Sequence, residues 1–213
     1  NNIAYSGVFL DLHNDLVYHE SMPGIQMLMA RRFDDSVKGG ESFFVDAMAA
    51  AEELRETRPD AFDTLTQIPR PFCKDDPARP VPACYYYGAP HIVTCKLTGH
   101  VSKVFWAPAF EAPFPVWFDE GAQRRYYDAR RAFAAVLLKW RKERAVSLRM
   151  QPGDCWIWNQ VRILHGRQAF VEEEPGSRSL HGCYCNIDDF ASAARYALGD
   201  DLPLVPLANR SEL

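Results

Sequence analysis

His13-Asn14-Asp15 is the single H-x-D in this chain. On an extended segment, residues i and i+2 face the same side, so an imidazole and a carboxylate converge there. The pair alone is weak evidence, because a chain with this many histidines and aspartates produces one readily by chance. Its value is geometric. A second histidine from a distant strand would complete two imidazoles and one carboxylate around a metal. That set leaves three coordination positions open and suits non-haem Fe(II) working with O2. The candidate is His165 in Ile163-Leu164-His165-Gly166-Arg167, which ends an apolar run and precedes a glycine that lets another group approach closely. The alternative is a half-buried strand-end histidine. Arg178 follows thirteen residues later. It is either a surface arginine or, beside an iron site, a fork for a dicarboxylate cosubstrate.

These residues need elements to hold them. Residues 3–13 read as extended chain with a Ser-Gly interruption, and Ile25 to Phe33 reads as a strand after the Pro23-Gly24 turn. Val45 to Arg58 is a helix that Asp46 can cap, and Pro59 opens a second helix to about Gln67. The proline-rich stretch 69–90 reads as irregular, and 91–97 with 101–106 reads as a hairpin around Thr98-Gly99-His100. Glu120 to Ala145 is the longest helix; Tyr126, Phe133, Leu137 and Trp140 lay one apolar stripe along it. Its many arginines and lysines offer either an anion-binding face or a solvated back. Val146 to Met150, Cys155 to Asn159, Arg162 to His165 and Cys183 to Ile187 read as strands. A last helix, Phe190 to Leu198, is capped by Asp188 or Asp189. Strands at both ends with helices between them, and no βαβ alternation, argue against a doubly wound parallel sheet.

The 213 residues predict one large domain spanning 1–213. With 47% apolar and 24% charged residues, the composition excludes a disordered or collagen-like chain. A net charge of −4 gives no support to nucleic-acid wrapping or to binding an anionic membrane surface. No apolar run reaches the ~18 residues of a membrane span. The six cysteines are sparse and form no C-x-x-C, which points to reduced thiols rather than a disulfide scaffold or a zinc ribbon.

The segments NNIAYSGVFLDLHNDL, PGIQML, GGESFFVDAMAAAEELR, PDAF, MQPGDCWIWNQVRILHGRQAF and RSLHGCYCNID occur in this order. Together they resemble the catalytic region of the γ-butyrobetaine and trimethyllysine dioxygenases, in the TauD/TfdA branch of Fe(II)/2-oxoglutarate-dependent oxygenases. The resemblance covers nearly the whole chain and is weakest over 70–120. It implies a mainly β fold with inserted helices, a double-stranded β-helix or jelly-roll, whose N-terminal part is absent here. It implies Fe(II), the cosubstrate 2-oxoglutarate and O2, with oxidation of an unactivated C–H in a small molecule. His13, Asp15 and His165 match the iron ligands, and Arg178 matches the arginine that holds the far carboxylate of 2-oxoglutarate. Ser42 stands where a hydroxyl often assists that carboxylate. Asn2, Tyr5 and Tyr184 match positions lining the substrate pocket, where aromatic rings suit a trimethylammonium group.

Departures put the substrate in doubt. Ala107-Pro108 stands where an asparagine is used for the substrate carboxylate, and Leu16 replaces an aromatic. Trp156 and Trp158 are bulkier than the usual aliphatics. Asn14 replaces the usual threonine between the ligands, with its side chain expected to face away. Three readings follow: a hydroxylase of a small cationic amine, as in carnitine biosynthesis; the same chemistry on a secondary metabolite; and a non-catalytic jelly-roll that has lost turnover. The expected partner is a small molecule, with no nucleic acid and no membrane, and a homodimer is left open. The expected compartment is the cytoplasm, with a mitochondrial location left open.

Overall fold

The computed structural model describes residues 6–171 and 176–198. In chain order, β1 (Leu10–His13), β2 (Ile25–Phe33), β3 (Lys38–Gly39) and β4 (Ser42–Asp46) lead into helices α1 (Ala47–Thr57) and α2 (Pro59–Gln67). Two hairpins follow, β5 (Arg70–Asp76) with β6 (Ala83–Ala89) and β7 (Ile92–Thr94) with β8 (Val101–Val104). The long helix α3 (Glu120–Glu143) precedes β9 (Val146–Leu148), β10 (Cys155–Asn159), β11 (Ile163–Arg167), β12 (Phe170–Val171), β13 (Arg178–Cys185) and α4 (Ile187–Leu198).

Two antiparallel sheets carry the architecture. One has the order β1-β11-β4-β9 and the other β10-β2-β13. Strand alternation divides the first sheet into two faces. Phe43, Val45, Leu164 and Leu12 are buried toward α1, α2 and α3 in the main core. Phe44 and His165 point the other way, where Phe44 meets Trp156 and Trp158 of β10 at ring distances of 4.8 and 5.1 Å. The space between the sheets is therefore lined by the alternate set of residues. A one-residue slip would exchange the two sets, so burial of Phe43 and Val45 fixes the register that turns His165 inward.

The helices form where the sequence signals them. The Asp46 side chain accepts the Ala49 N–H at 3.1 Å, capping α1, and its other oxygen takes Arg162 at 2.8 Å. Pro59 occupies the first turn of α2, where a missing N–H costs nothing. On α3, Tyr126, Phe133, Leu137 and Trp140 are buried together, each worth about 1.5–3 kcal/mol by area removed from water. Its basic residues are shared between solvent and ion pairs: Arg130 with Glu111, Lys139 with Glu53, and Arg141 with Asp11.

Three elements differ from the sequence reading. Residues 70–89 form a hairpin, because Pro77, Pro80 and Pro82 fall in its turn. Only Pro71 lies within a strand of this two-stranded sheet, where a missing donor is tolerated. β13 begins at Arg178, five residues before the expected strand. α4 begins at Ile187, with the Asn186 carbonyl accepting the Phe190 N–H at 3.0 Å; Asp188 and Asp189 lie inside its first turn, where their charge complements the positive end of the helix dipole. No two of the six cysteines are joined among the described residues. No helix among those residues is long and apolar enough to cross a membrane.

Candidate metal centre

His13 ends β1, His165 lies in β11, and the two are cross-strand partners. Register alone brings their rings to 4.3 Å between centroids. Asp15 follows on the turn after β1, with Oδ1 3.3 Å from His13 Nε2 and Oδ2 3.8 Å from His165 Nε2. One ligand atom from each of the three falls within 4.8 Å of the others. Gly166 makes this approach possible, since a Cβ there would stand 2.4 Å from the Phe43 ring and 2.7 Å from the Leu10 carbonyl.

The protonation states suit a cation. Burial pushes His165 down to about 3, against the pull of Asp15, so its ring is neutral and keeps a lone pair. His165 Nδ1 is buried and finds no hydrogen-bond partner among the described residues. His13 Nδ1 lies 2.8 Å from the Asp11 carbonyl; donating there fixes the tautomer and leaves Nε2 facing Asp15. For Asp15, burial favours the protonated form. The neighbouring His13 and His165 rings and the hydrogen bond from the Tyr184 hydroxyl outweigh it and hold the carboxyl well below its usual range. Two imidazoles and an ionised carboxylate on one side of a partly solvated space are a donor set for a divalent first-row metal.

Further residues support this cluster. Gln26 Nε2 donates to Asp15 Oδ2 at 2.6 Å, and the Tyr184 hydroxyl donates to the same oxygen at 2.7 Å. Gln26 is a polar residue on the inward-facing set of an apolar strand, a signal that was readable in IQMLMARRF. Asn14 faces away from the cluster, as expected, and is fully buried. Its Oδ1 accepts the Trp106 N–H at 2.7 Å, its own N–H donates to the Trp106 carbonyl at 2.8 Å, and its Nδ2 donates to the Gln160 carbonyl. The side chain thus stands in for a strand partner and ties the ligand-bearing turn to two neighbouring segments. Leu16, next to Asp15, holds φ at +61°, a left-handed conformation uncommon for a side chain of its size.

Arg178 begins β13, with its guanidinium 5.2 Å from the centroids of both Phe33 and Phe170. Gly40 (φ +82°) leaves it room: a Cβ there would meet Arg178 Nε at 3.1 Å. Arg167 is a buried arginine on this side, and its Nη2 is committed to the carbonyls of Ser6 and Val8 at 2.6 and 2.8 Å. Ser42 is buried as the cross-strand partner of Arg167. Tyr184 reaches the cluster through Asp15. Asn2 and Tyr5 lie outside the described residues.

Two facing antiparallel sheets with a two-histidine, one-carboxylate cluster between them define a jelly-roll protein with a candidate metal centre. The chain belongs to the family described as Taurine catabolism dioxygenase TauD, TfdA family, which matches residues 1–184. It is 33% identical over 189 residues to a γ-butyrobetaine dioxygenase of Pseudomonas sp. (strain AK-1), covering 89% of this chain and 46% of that protein. It is 27% identical over 194 residues to the mitochondrial trimethyllysine dioxygenase of Rattus norvegicus, covering 90% of this chain and 44% of that protein. The chain therefore spans about half the length of these relatives. Among solved structures, an asparagine oxygenase in complex with Fe(II), 2S,3S-3-hydroxyasparagine and succinate superposes with a TM-score of 0.62 at 18% identity, covering 87% of this chain and 54% of that one. Such neighbours share the jelly-roll, which supports the architecture expected from the sequence.

Proposed function

We propose that this chain is the catalytic part of an Fe(II)- and 2-oxoglutarate-dependent dioxygenase that oxidises an unactivated C–H bond of a small molecule. The observation that carries the reading is the meeting of His13 and Asp15 with His165, with 149 residues between Asp15 and His165 and one ligand atom from each of the three inside 4.8 Å. In this reading the three side chains hold Fe(II), and Arg178 with Ser42 receives the far carboxylate of 2-oxoglutarate. Bound iron and its cosubstrate supply the oxidising power, with O2 reduced as 2-oxoglutarate is converted to succinate and CO2.

The protein's own contribution is placement. Asp11 sets the His13 tautomer, Gln26 and Tyr184 orient the Asp15 carboxylate, and burial keeps His165 unprotonated. Bound Fe(II) would meet one negative charge from Asp15, and three side-chain ligands would leave positions for exchangeable ones. The aromatic faces of Phe44, Trp156 and Trp158 exclude water from the inner side.

For the substrate, the names of the two relatives support a small quaternary-amine acid. A second reading, the same chemistry on another small molecule, is favoured by two tryptophans on the inner face and by Ala107-Pro108, which offers no side-chain amide. Anaerobic addition of Fe(II) and 2-oxoglutarate tests the core of the proposal: a weak visible charge-transfer band is expected and should vanish in His165→Ala. Its absence in the unsubstituted chain would refute the reading. Succinate release across cationic and neutral candidate substrates then separates the two substrate classes.

A further inference from the structure

We propose that the indole N–H of Trp158 donates a hydrogen bond to the metal-chelating 2-oxo-acid end of 2-oxoglutarate. The inference rests on the dioxygenase reading above and adds a contact that the ligand set does not contain. Trp158 is only 8% exposed, and its Nε1 is buried with no hydrogen-bond partner among the described residues. Buried indole N–H groups ordinarily find an acceptor, so one left unmet beside a metal-ligand cluster calls for an explanation.

Its place in the fold supplies one. The ring lies 5.2 Å from His165 and 5.1 Å from Phe44, on the inner face of β10. Across the ladder its partner is Gln26, the residue that holds Asp15. The Asp15 carboxylate is already engaged. Asp15 Oδ2 takes both Gln26 and Tyr184, and Oδ1 faces His13. The Gln26 amide is turned so that its nitrogen serves Asp15; its Oε1 is also buried with no partner among the described residues, and no hydrogen bond joins it to the Trp158 N–H. The donor therefore awaits an oxygen carried in by a ligand.

The cosubstrate fits this better than the substrate does. Continuing along the inner face from Trp158, the next residue is Trp156. It packs in the same small cluster as Phe33 and Phe170, the two rings that flank the Arg178 guanidinium. A dicarboxylate reaching from the metal ligands to Arg178 runs along this face, with its chelating end in the layer of Trp158.

The test titrates 2-oxoglutarate, with no substrate present, into the Mn(II)-loaded chain by calorimetry. Trp158→Phe keeps an aromatic ring against Phe44 and His165 and removes the N–H. At least a tenfold rise in Kd is expected, with Mn(II) affinity within twofold of the parent and the metal-free melting temperature unchanged or raised. Trp158→Gln, which keeps an N–H donor without the indole, should recover part of the lost affinity. A Kd for Trp158→Phe within twofold of the parent overturns the proposal. So does an equal loss in the Phe and Gln variants, or a matching loss of Mn(II) affinity, either of which would make Trp158 a packing support. If the unsubstituted chain binds Mn(II) but no 2-oxoglutarate, the dioxygenase reading fails and this proposal fails with it.

Discussion

Replacing Asn14 with alanine probes the way the ligand-bearing turn is built. The asparagine side chain makes two hydrogen bonds in a fully buried setting, accepting from Trp106 N–H at 2.7 Å and donating to the Gln160 carbonyl. Truncation leaves both main-chain groups without these partners and opens a cavity of side-chain size. An orphaned buried donor or acceptor costs about 1–3 kcal/mol, so two give about 2–6 kcal/mol. Around a middle value of about 4 kcal/mol, a chain of this length should melt about 8–16 °C lower. Against a total stability of about 5–15 kcal/mol, that is a large fraction. Asn14→Thr keeps one hydroxyl acceptor and should recover roughly half the loss. Thermal and urea unfolding followed by circular dichroism measure the stability term, and Mn(II) titration of the same variants should show weaker binding as the turn loosens. A loss below about 1 kcal/mol for Asn14→Ala would show that the turn is held by the core instead, and the argument from its two bonds would be wrong.

Three further outcomes follow. Gln26→Leu should weaken metal binding by about 10–100-fold, and Tyr184→Phe, half exposed, by less; the reverse order in Mn(II) titrations would contradict the assignment of Gln26 as the main support of Asp15. Arg178→Ala should raise the 2-oxoglutarate Kd far more than the Fe(II) Kd, and equal losses would count against its role. His91 is fully buried between the Phe105 carbonyl and the Tyr126 hydroxyl, and burial pushes it down to about 4 from 6.5. The native state stays unprotonated while the unfolded chain takes up a proton below 6.5. This contribution is thus intact above pH 6.5 and is lost as pH falls toward 4, by about 3 kcal/mol in all. His91→Asn should flatten the pH dependence of urea midpoints in that window, and an unchanged slope would exclude the mechanism.

The parts of the fold legible in the sequence were those governed by period and punctuation. β2 runs over the residues between its turn signal and its charged end, and α1, α2 and α3 follow their caps and prolines. The H-x-D pair and His165 were readable because a period of two and a glycine after the histidine are local facts. The hairpin at 70–89 was hidden because its prolines, read as breakers, sit mostly in the turn. The partners of Gln26 and Trp158 were hidden for another reason. Their importance depends on which strand lies opposite, and no local pattern encodes that Trp158 pairs with Gln26 and Gln26 reaches Asp15. Asn14 was visible, but its side-chain partners Trp106 and Gln160 lie 92 and 146 positions away, beyond any local pattern.

The two imidazoles belong to residues paired directly across one ladder of the larger sheet. Their separation is thus a property of the hydrogen-bonded backbone rather than of any loop. Loops at the rim can lengthen, shorten or change sequence while the gap between the rings stays constant, which gives substrate preference room to diverge without touching the chemistry. The same coupling ties the two rings to the sheet: in a urea series, metal affinity should not outlast strand content.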